Sequence, residues 1–501
     1  MILGIDAGTS LIKAAVFTLT GEERGAAGRE TRVLNPQPGW AETDMHAVWD
    51  AACAVIPQAL ANAGVRGDEI AAIGVTGQMV GAWLVDSDGQ PVRPAILWSD
   101  GRAQGLIERL SAEQPGFLSR VFDSSGSAMQ QGCTLPVLRW LLENEPQTPA
   151  RARHLLCCKD WIIYKLTGTM QLDPSEVSVM PGSARARDIS PAMLELFGLQ
   201  ALRGLLPATK PAESIAGVLL PEVVTTVGLR AGTPVVVGAG DVLATAIGAG
   251  AVAPGAAVSL LGTNYLNCLV TAEPIFEPRD VGVMFCHPAG GWLRAMLNVS
   301  GTTSLDWLIA QFFAPERAAA ASDAELFAML EAMAETSGIG ARGVIYLPYL
   351  SAQGITAPVY EPNARAQFAG LTLEHTRADM LRAVYEGLAL SIRDGYACIP
   401  AEIDEIRLTG GTARSDFFCQ MAADVTGKRV LRPQAREFGA RGAALLAAVG
   451  IGAYASISAA VAATPLQAHV FTPVAERMAA YDAVYARYVR LREALLTVWR
   501  G

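Results

Sequence analysis

Clustered positive charge, paired-cysteine motifs and strongly apolar long runs are all missing from this chain. No stretch gathers five or six Lys or Arg, and the net charge is −9, which excludes a surface built to grip nucleic-acid phosphates. The eight cysteines (Cys53, Cys133, Cys157, Cys158, Cys268, Cys286, Cys398 and Cys419) form no C-x-x-C pair, and there are five histidines. A zinc centre needs such ligands at set spacings, so none is expected. The cysteines read instead as reduced core thiols of a cytoplasmic protein. The chain reaches Asp6 almost at once, which leaves no apolar region for a signal peptide. The uncharged run Gly442–Ala463 has the length of a membrane span but is mostly Ala and Gly, which insert weakly. A buried helix, a loop and a second short helix are expected there, and no membrane partner.

Apolar residues are abundant: 51% of the chain is hydrophobic and 17% charged. That composition builds large cores and argues against disorder, and 501 residues suggest two or three domains. The opening "MILGIDAGTSLIKAAVFTL" reads as a strand (Ile2–Ile5), a tight Gly-Thr-Ser turn and a second strand (Ala14–Leu19). "AVSLLGTNYLNCLVT" (257–271) repeats the plan half a chain later. Duplicated α/β halves facing a cleft are expected, residues 1–242 and 243–501. No Pro-rich or Gly/Ser-rich linker separates them, so a close interface follows. Helical apolar spacing marks "SLDWLIAQFF", "RADMLRAVYEGLALSIRDGYACI" and "AERMAAYDAVYARYVRLREALLTVW". "IAAIGVTGQ" and "EIRLTGG" read as strands.

Residues 231–272 carry one formal charge, Asp241. A lone buried carboxylate costs several kcal/mol, on the order of 2–7 for a polar group and more for an ion, unless paired or hydrated. The preceding "TPVVVGAG" invites a dinucleotide fingerprint, but the third small residue is replaced by Leu243, and no acid follows before Glu273. A P-loop is absent as well. Three other turns suit phosphate or nucleoside. Gly8-Thr9-Ser10 with Lys13 offers N–H groups, hydroxyls and a cation; Gly262-Thr263 offers the same without the charge; Gly410-Gly411 allows close backbone approach. Each alone is equally readable as an ordinary turn.

Taken in order, "LGIDAGTSLIKAAVF", "PQPGWAETDMHAVWD", "TGQMVG", "AILWSDGRA", "CCKDWIIYKLTG", "LDPSEVS" and "LTGGTARSDFFCQMAADVTG" resemble the FGGY family of carbohydrate kinases. The resemblance runs from about residue 2 to residue 450. It implies two actin-like (RNase H-like) ATPase domains, ATP and Mg²⁺ between them, and phosphorylation of a sugar hydroxyl. It makes Asp241 the catalytic base; capping of the helix "VLATAIGAG" is the bland alternative. It places Asp6, with Asp241, on the metal. Gly8, Thr9, Ser10, Lys13 (where relatives often carry Arg), Gly262, Thr263, Gly301, Gly410, Gly411 and Ser415 would bind ATP.

Gln78, Met79, Val80, Trp98, Asp100 and Arg102 would line the substrate site with Asp241; Asp100 and Arg102 either touch substrate or form an ion pair supporting it. D-xylulose kinases of the family read Gly-Gln-Met-His and Asp-Asn where this chain has Val80 and Val242. Two hydrogen-bonding side chains are lost, which weakens discrimination of hydroxyls. A xylulose-type ketopentose is the expected substrate, with a polyol such as erythritol or a keto-hexonate as the alternatives. An actin- or Hsp70-like ATPase and a non-catalytic sugar sensor remain as other classes, and a homodimer is the candidate assembly.

Overall fold

In Ile2–Ala7 the alternation of side chains sends Leu3, Ile5 and Ala7 into one core and Ile2 into another, because successive residues of a strand face opposite ways. Both faces of this first sheet are therefore covered. The computed structural model describes residues 1–501. Helix Met45–Ala63 supplies one cover, with Val48, Ala52, Val55 and Ile56 buried.

The opposite face is covered from the far end of the chain by helix Phe438–Gly450. Its approach requires glycine: a Cβ on Gly4 would stand 1.9 Å from the Ala440 carbonyl, and one on Gly74 1.9 Å from that of Ala443. The same helix crosses Asp241–Gly248 just as closely, since a Cβ on Gly442 would meet the Ala244 carbonyl at 1.9 Å.

The first sheet runs Glu23–Glu30, Leu11–Phe17, Ile2–Ala7, Ala72–Gly77, Pro234–Val236, Ile215–Val218. Its middle three strands Ile2–Ala7, Ala72–Gly77 and Pro234–Val236 are parallel. The second sheet, Val283–Cys286, Trp292–Asn298, Tyr265–Thr271, Ala256–Leu261, Glu405–Gly410, Arg429–Pro433, Ala468–Phe471, repeats that plan with one added edge strand. Strands Ala256–Leu261, Glu405–Gly410 and Arg429–Pro433 are its parallel trio.

The expected hairpins and the three long helices are present. The second strand begins at Leu11 rather than Ala14, because antiparallel pairing brings Ala7 opposite Ile12 and leaves only residues 8–10 for the turn. The uncharged run 442–463 lies in helices Phe438–Gly450 and Ile457–Ala463 and the turn between them, and no helix is long and apolar enough to cross a membrane. All eight cysteines are unpaired.

Candidate active site

In open α/β sheets ligands bind beyond the carboxyl ends of parallel strands, and several of the sequence-predicted residues lie there. Ile2–Ala7 runs into Gly8-Thr9-Ser10, Ala72–Gly77 into Gln78–Gly81, and Pro234–Val236 into the loop that ends at Asp241. In the second half, Ala256–Leu261 ends at Gly262-Thr263 and Glu405–Gly410 at Gly411.

Asp241 is the first residue of helix Asp241–Gly248, and Gly240 holds the capping position. Its Oδ1 accepts only from the neighbouring Val242 N–H, at 2.8 Å. An N-cap side chain reaches the second or third N–H of the helix, so capping does not describe it. Burial raises the Asp241 carboxyl to about 7, and the nearby charge of Asp6 adds to the rise.

Asp6, the penultimate residue of strand Ile2–Ala7, pairs opposite Lys13. Burial lifts its carboxyl to about 6, Lys13 opposes that shift, and Glu437 reinforces it. The two carboxylates lie close enough that the charge of Asp6 disfavours ionisation of Asp241. The first turn of helix Phe438–Gly450 sits against Asp6, where a Cβ on Gly439 would lie 2.2 Å from Oδ2. No third His, Cys, Asp or Glu completes a cluster able to enclose a metal ion. Mg²⁺ keeps several waters and takes one or two carboxylates alongside phosphate oxygens, so a pair of this kind fits it.

The Gly8-Thr9-Ser10 turn is joined to Gln78 and Trp98. Trp98 Nε1 donates to Thr9 Oγ1 at 3.0 Å, and Thr9 Oγ1 donates to Gln78 Oε1 at 3.0 Å. Trp98 keeps an exposed face while Gln78 is buried. Met79 packs on Gly240, where a Cβ would meet its Sδ at 2.4 Å. Val80 holds φ 55°, a region β-branched residues avoid, and both Val80 and Met79 are buried. Ser10 is exposed at the turn. Lys13 does not stand free: its Nζ lies 2.9 Å from Glu437.

Asp100 and Arg102 form an ion pair at 2.8 Å with both side chains fully buried. The Asp100 oxygens accept from Ala41 N–H and from the Arg102 N–H, Nε and Nη2 groups. Asp100 has no acceptor left for a ligand, so of the two roles considered for it the supporting ion pair matches the geometry. Arg102 also reaches Glu42 at 2.6 Å and stacks on Trp40, while its Nη1 has no partner.

In the second half Gly262, Thr263, Gly410 and Gly411 are exposed. A Cβ on Gly411 would meet nothing within 4 Å, whereas Gly410, at φ 94°, lies against the Leu261 carbonyl. Gly301 precedes helix Thr302–Phe312 and packs on the Tyr265 ring and the Gly262 carbonyl. Ser415 caps helix Asp416–Thr426, accepting from Phe418 N–H at 2.9 Å.

Sequence reasoning assigned no role to Lys159, Ser175, Glu176 or Glu437, all adjoining this site. For Lys159 and Glu176 the signal was charge inside the apolar strings "CCKDWIIY" and "LDPSEVSV", which marks buried ions without saying what they hold; Ser175 and Glu437 carried no such signal.

Two duplicated α/β halves, glycine turns at their parallel strand ends and a carboxylate pair between them define an actin-like, two-domain ATPase fold. The chain belongs to the FGGY family of carbohydrate kinases: the N-terminal domain of that family matches residues 1–248 and the C-terminal domain residues 257–451. It is similar to the erythritol kinase of Brucella abortus (32% identical, covering 100% of this chain and 97% of the relative). It is also similar to the xylulose kinase of Escherichia coli (33% identical, 99% of each). Among solved structures, a xylulose kinase from Rhodospirillum rubrum superposes with a TM-score of 0.89 at 27% identity over 100% of both chains. A ligand-bound xylulose kinase from Lactobacillus acidophilus shares the fold, with a TM-score of 0.90 at 23% identity over 99% of both chains. The protein is a carbohydrate kinase, which displaces the chaperone-like ATPase and the silent sensor.

Proposed function

We propose that the protein transfers the γ-phosphoryl group of ATP to a hydroxyl of a xylulose-type ketopentose, with Asp241 as the base. The observation that carries this reading is the pairing of Asp241 with Asp6, because a carboxylate raised to about 7 is matched to accepting a proton near neutral pH. An attacking hydroxyl must lose its proton as the new P–O bond forms, and Asp241 receives it. Mg²⁺, held by Asp6 and Asp241 largely through water, would neutralise phosphate charge.

Gly8, Thr9 and Ser10 present N–H and hydroxyl donors to the phosphates from one half, and Gly262 and Thr263 from the other. Gly410, Gly411, Ser415 and Gly301 border the nucleoside. Lys13 reaches the phosphates by exchanging Glu437 for them. Gln78, Met79, Val80 and Trp98 enclose the sugar, and Arg102 offers the free Nη1. Positioning and charge stabilisation supply most of the acceleration in such a reaction. We take residues 1–242 and 243–501 as the two units that close around the substrates.

A polyol such as erythritol is the second reading, favoured by Val80 and Val242: apolar groups at those positions suit a shorter acceptor with fewer hydroxyls to satisfy. A coupled ADP-release assay over D- and L-ketopentoses, tetritols, pentitols and keto-hexonates decides between them. Sugar-dependent ADP release with a ketulose supports the first reading and release with tetritols alone the second. ATP turnover independent of any acceptor would overturn both.

A further inference from the structure

Next to the site lies a group of buried charges that the proposed reaction does not itself use. Lys159, Asp160, Asp173 and Glu176 are each at most 1% exposed. Buried ions are costly to assemble and are often replaceable by apolar residues without loss of stability, so what this group holds in place is the informative question. Lys159 Nζ contacts Asp160 at 2.5 Å and Asp173 at 3.0 Å and donates to the Val237 carbonyl at 3.4 Å.

Asp173 caps helix Pro174–Val179, and its Oδ2 accepts the Ser175 hydroxyl proton at 2.5 Å. With that proton committed, Ser175 Oγ can only accept, and it does so from Gly240 N–H at 2.9 Å. The next residue, Glu176, accepts from Val80 N–H at 2.9 Å. Two successive residues of one short helix therefore hold both loops that meet at the reacting atoms: the loop carrying Asp241 and the loop carrying Met79 and Val80. Thr76 secures the first of these again by donating to the Ala239 carbonyl at 2.7 Å.

We propose that Ser175 is a positioning residue for phosphoryl transfer. Its hydroxyl, oriented by the Lys159–Asp173 ion pair, fixes the Gly240 peptide and so the place from which Asp241 reaches the acceptor hydroxyl, while Glu176 fixes the substrate loop against it. This rests on the reading of Asp241 as the base. Misplacement of a catalytic group by a fraction of its hydrogen-bond reach costs rate more than binding.

The test is steady-state kinetics of Ser175→Ala, Ser175→Cys and Ser175→Thr, with folding checked by circular dichroism and Asp241→Asn alongside. Threonine keeps the hydroxyl that bridges Asp173 and Gly240, whereas alanine removes it and cysteine replaces it with a weaker acceptor. Expected is a 10- to 100-fold loss of kcat in Ser175→Ala with KM for ATP within about twofold of wild type, an intermediate loss in Ser175→Cys, and recovery to within about threefold in Ser175→Thr. Glu176→Gln, by contrast, should act chiefly on the acceptor KM. Equal kcat in all folded Ser175 variants overturns the proposal, as does a threonine variant as slow as the cysteine one, a comparison that holds even if the alanine variant fails to fold. An Asp241→Asn variant with full kcat would instead overturn the base assignment itself.

Discussion

On the proposed reading Asp241 is the catalytic base, and its environment makes two expectations separable. Replacing it by asparagine keeps size and shape but removes the proton acceptor, so phosphoryl transfer should fall by at least about 100-fold. ATP affinity measured by calorimetry should change little, and its loss would mean that the side chain is structural. The second expectation concerns stability. Asp241 and Asp6 have carboxyls raised to about 7 and about 6 in the folded chain, against roughly 4 when unfolded. The folded state thus holds these protons more tightly, so their contribution to stability is complete below about pH 4 and is lost as pH rises through about 6 and 7. The metal-free protein should therefore melt at a lower temperature at pH 8 than at pH 5. Asp241→Asn should remove much of that slope and be more stable than wild type at pH 8, by about 1–3 kcal/mol. Thermal melts across pH with and without Mg²⁺ check the sign.

At the scale of elements, helix Phe438–Gly450 packs with backbone against backbone on the first sheet and on helix Asp241–Gly248. Gly74→Ala would place a methyl 1.9 Å from the Ala443 carbonyl, which belongs to backbone and cannot rotate away. The helix must retreat, at a cost of about 1–3 kcal/mol or more. Gly105→Ala, in helix Gln104–Glu113 with nothing within 4 Å of the new Cβ, should be neutral or stabilising by up to about 1 kcal/mol. Urea unfolding of the two variants measures the contrast, and equal midpoints would contradict the packing argument. Because Gly439 on the same helix abuts Asp6, the Gly74 variant should also slow turnover.

At the scale of the whole molecule, the two halves meet along that helix pair and again where the second sheet's edge docks on the first half. There Arg187 donates to the His287 and Gly291 carbonyls at 2.7 Å, and Arg294 to that of Gly126 at 2.9 Å. On the proposed reading the glycine turns of both halves enclose one nucleotide only if the halves approach, which also excludes water from the transfer. The radius of gyration from small-angle scattering should decrease when a sugar substrate and a nucleotide are added together. An unchanged curve at saturating concentrations of both would count against closure.

The hairpins, the helices and the turns that end the strands were legible in the sequence, because each depends on local periodicity and on Gly, Thr and Ser at tight bends. Asp241 stood out for the same kind of reason, as one charge in a long uncharged stretch. Local pattern also placed Asp100 beside Arg102 but could not say that their charges would be spent on one another. Nor could it reveal that Glu437 would hold Lys13, that Ser175 would hold Gly240, or that residues 438–450 would cover a sheet begun by residues 2–7. These contacts join positions tens to hundreds of residues apart. They are selected by which surfaces can approach closely once both sheets exist, and that choice is made by packing and by the need to satisfy buried charge, quantities that belong to the tertiary structure alone.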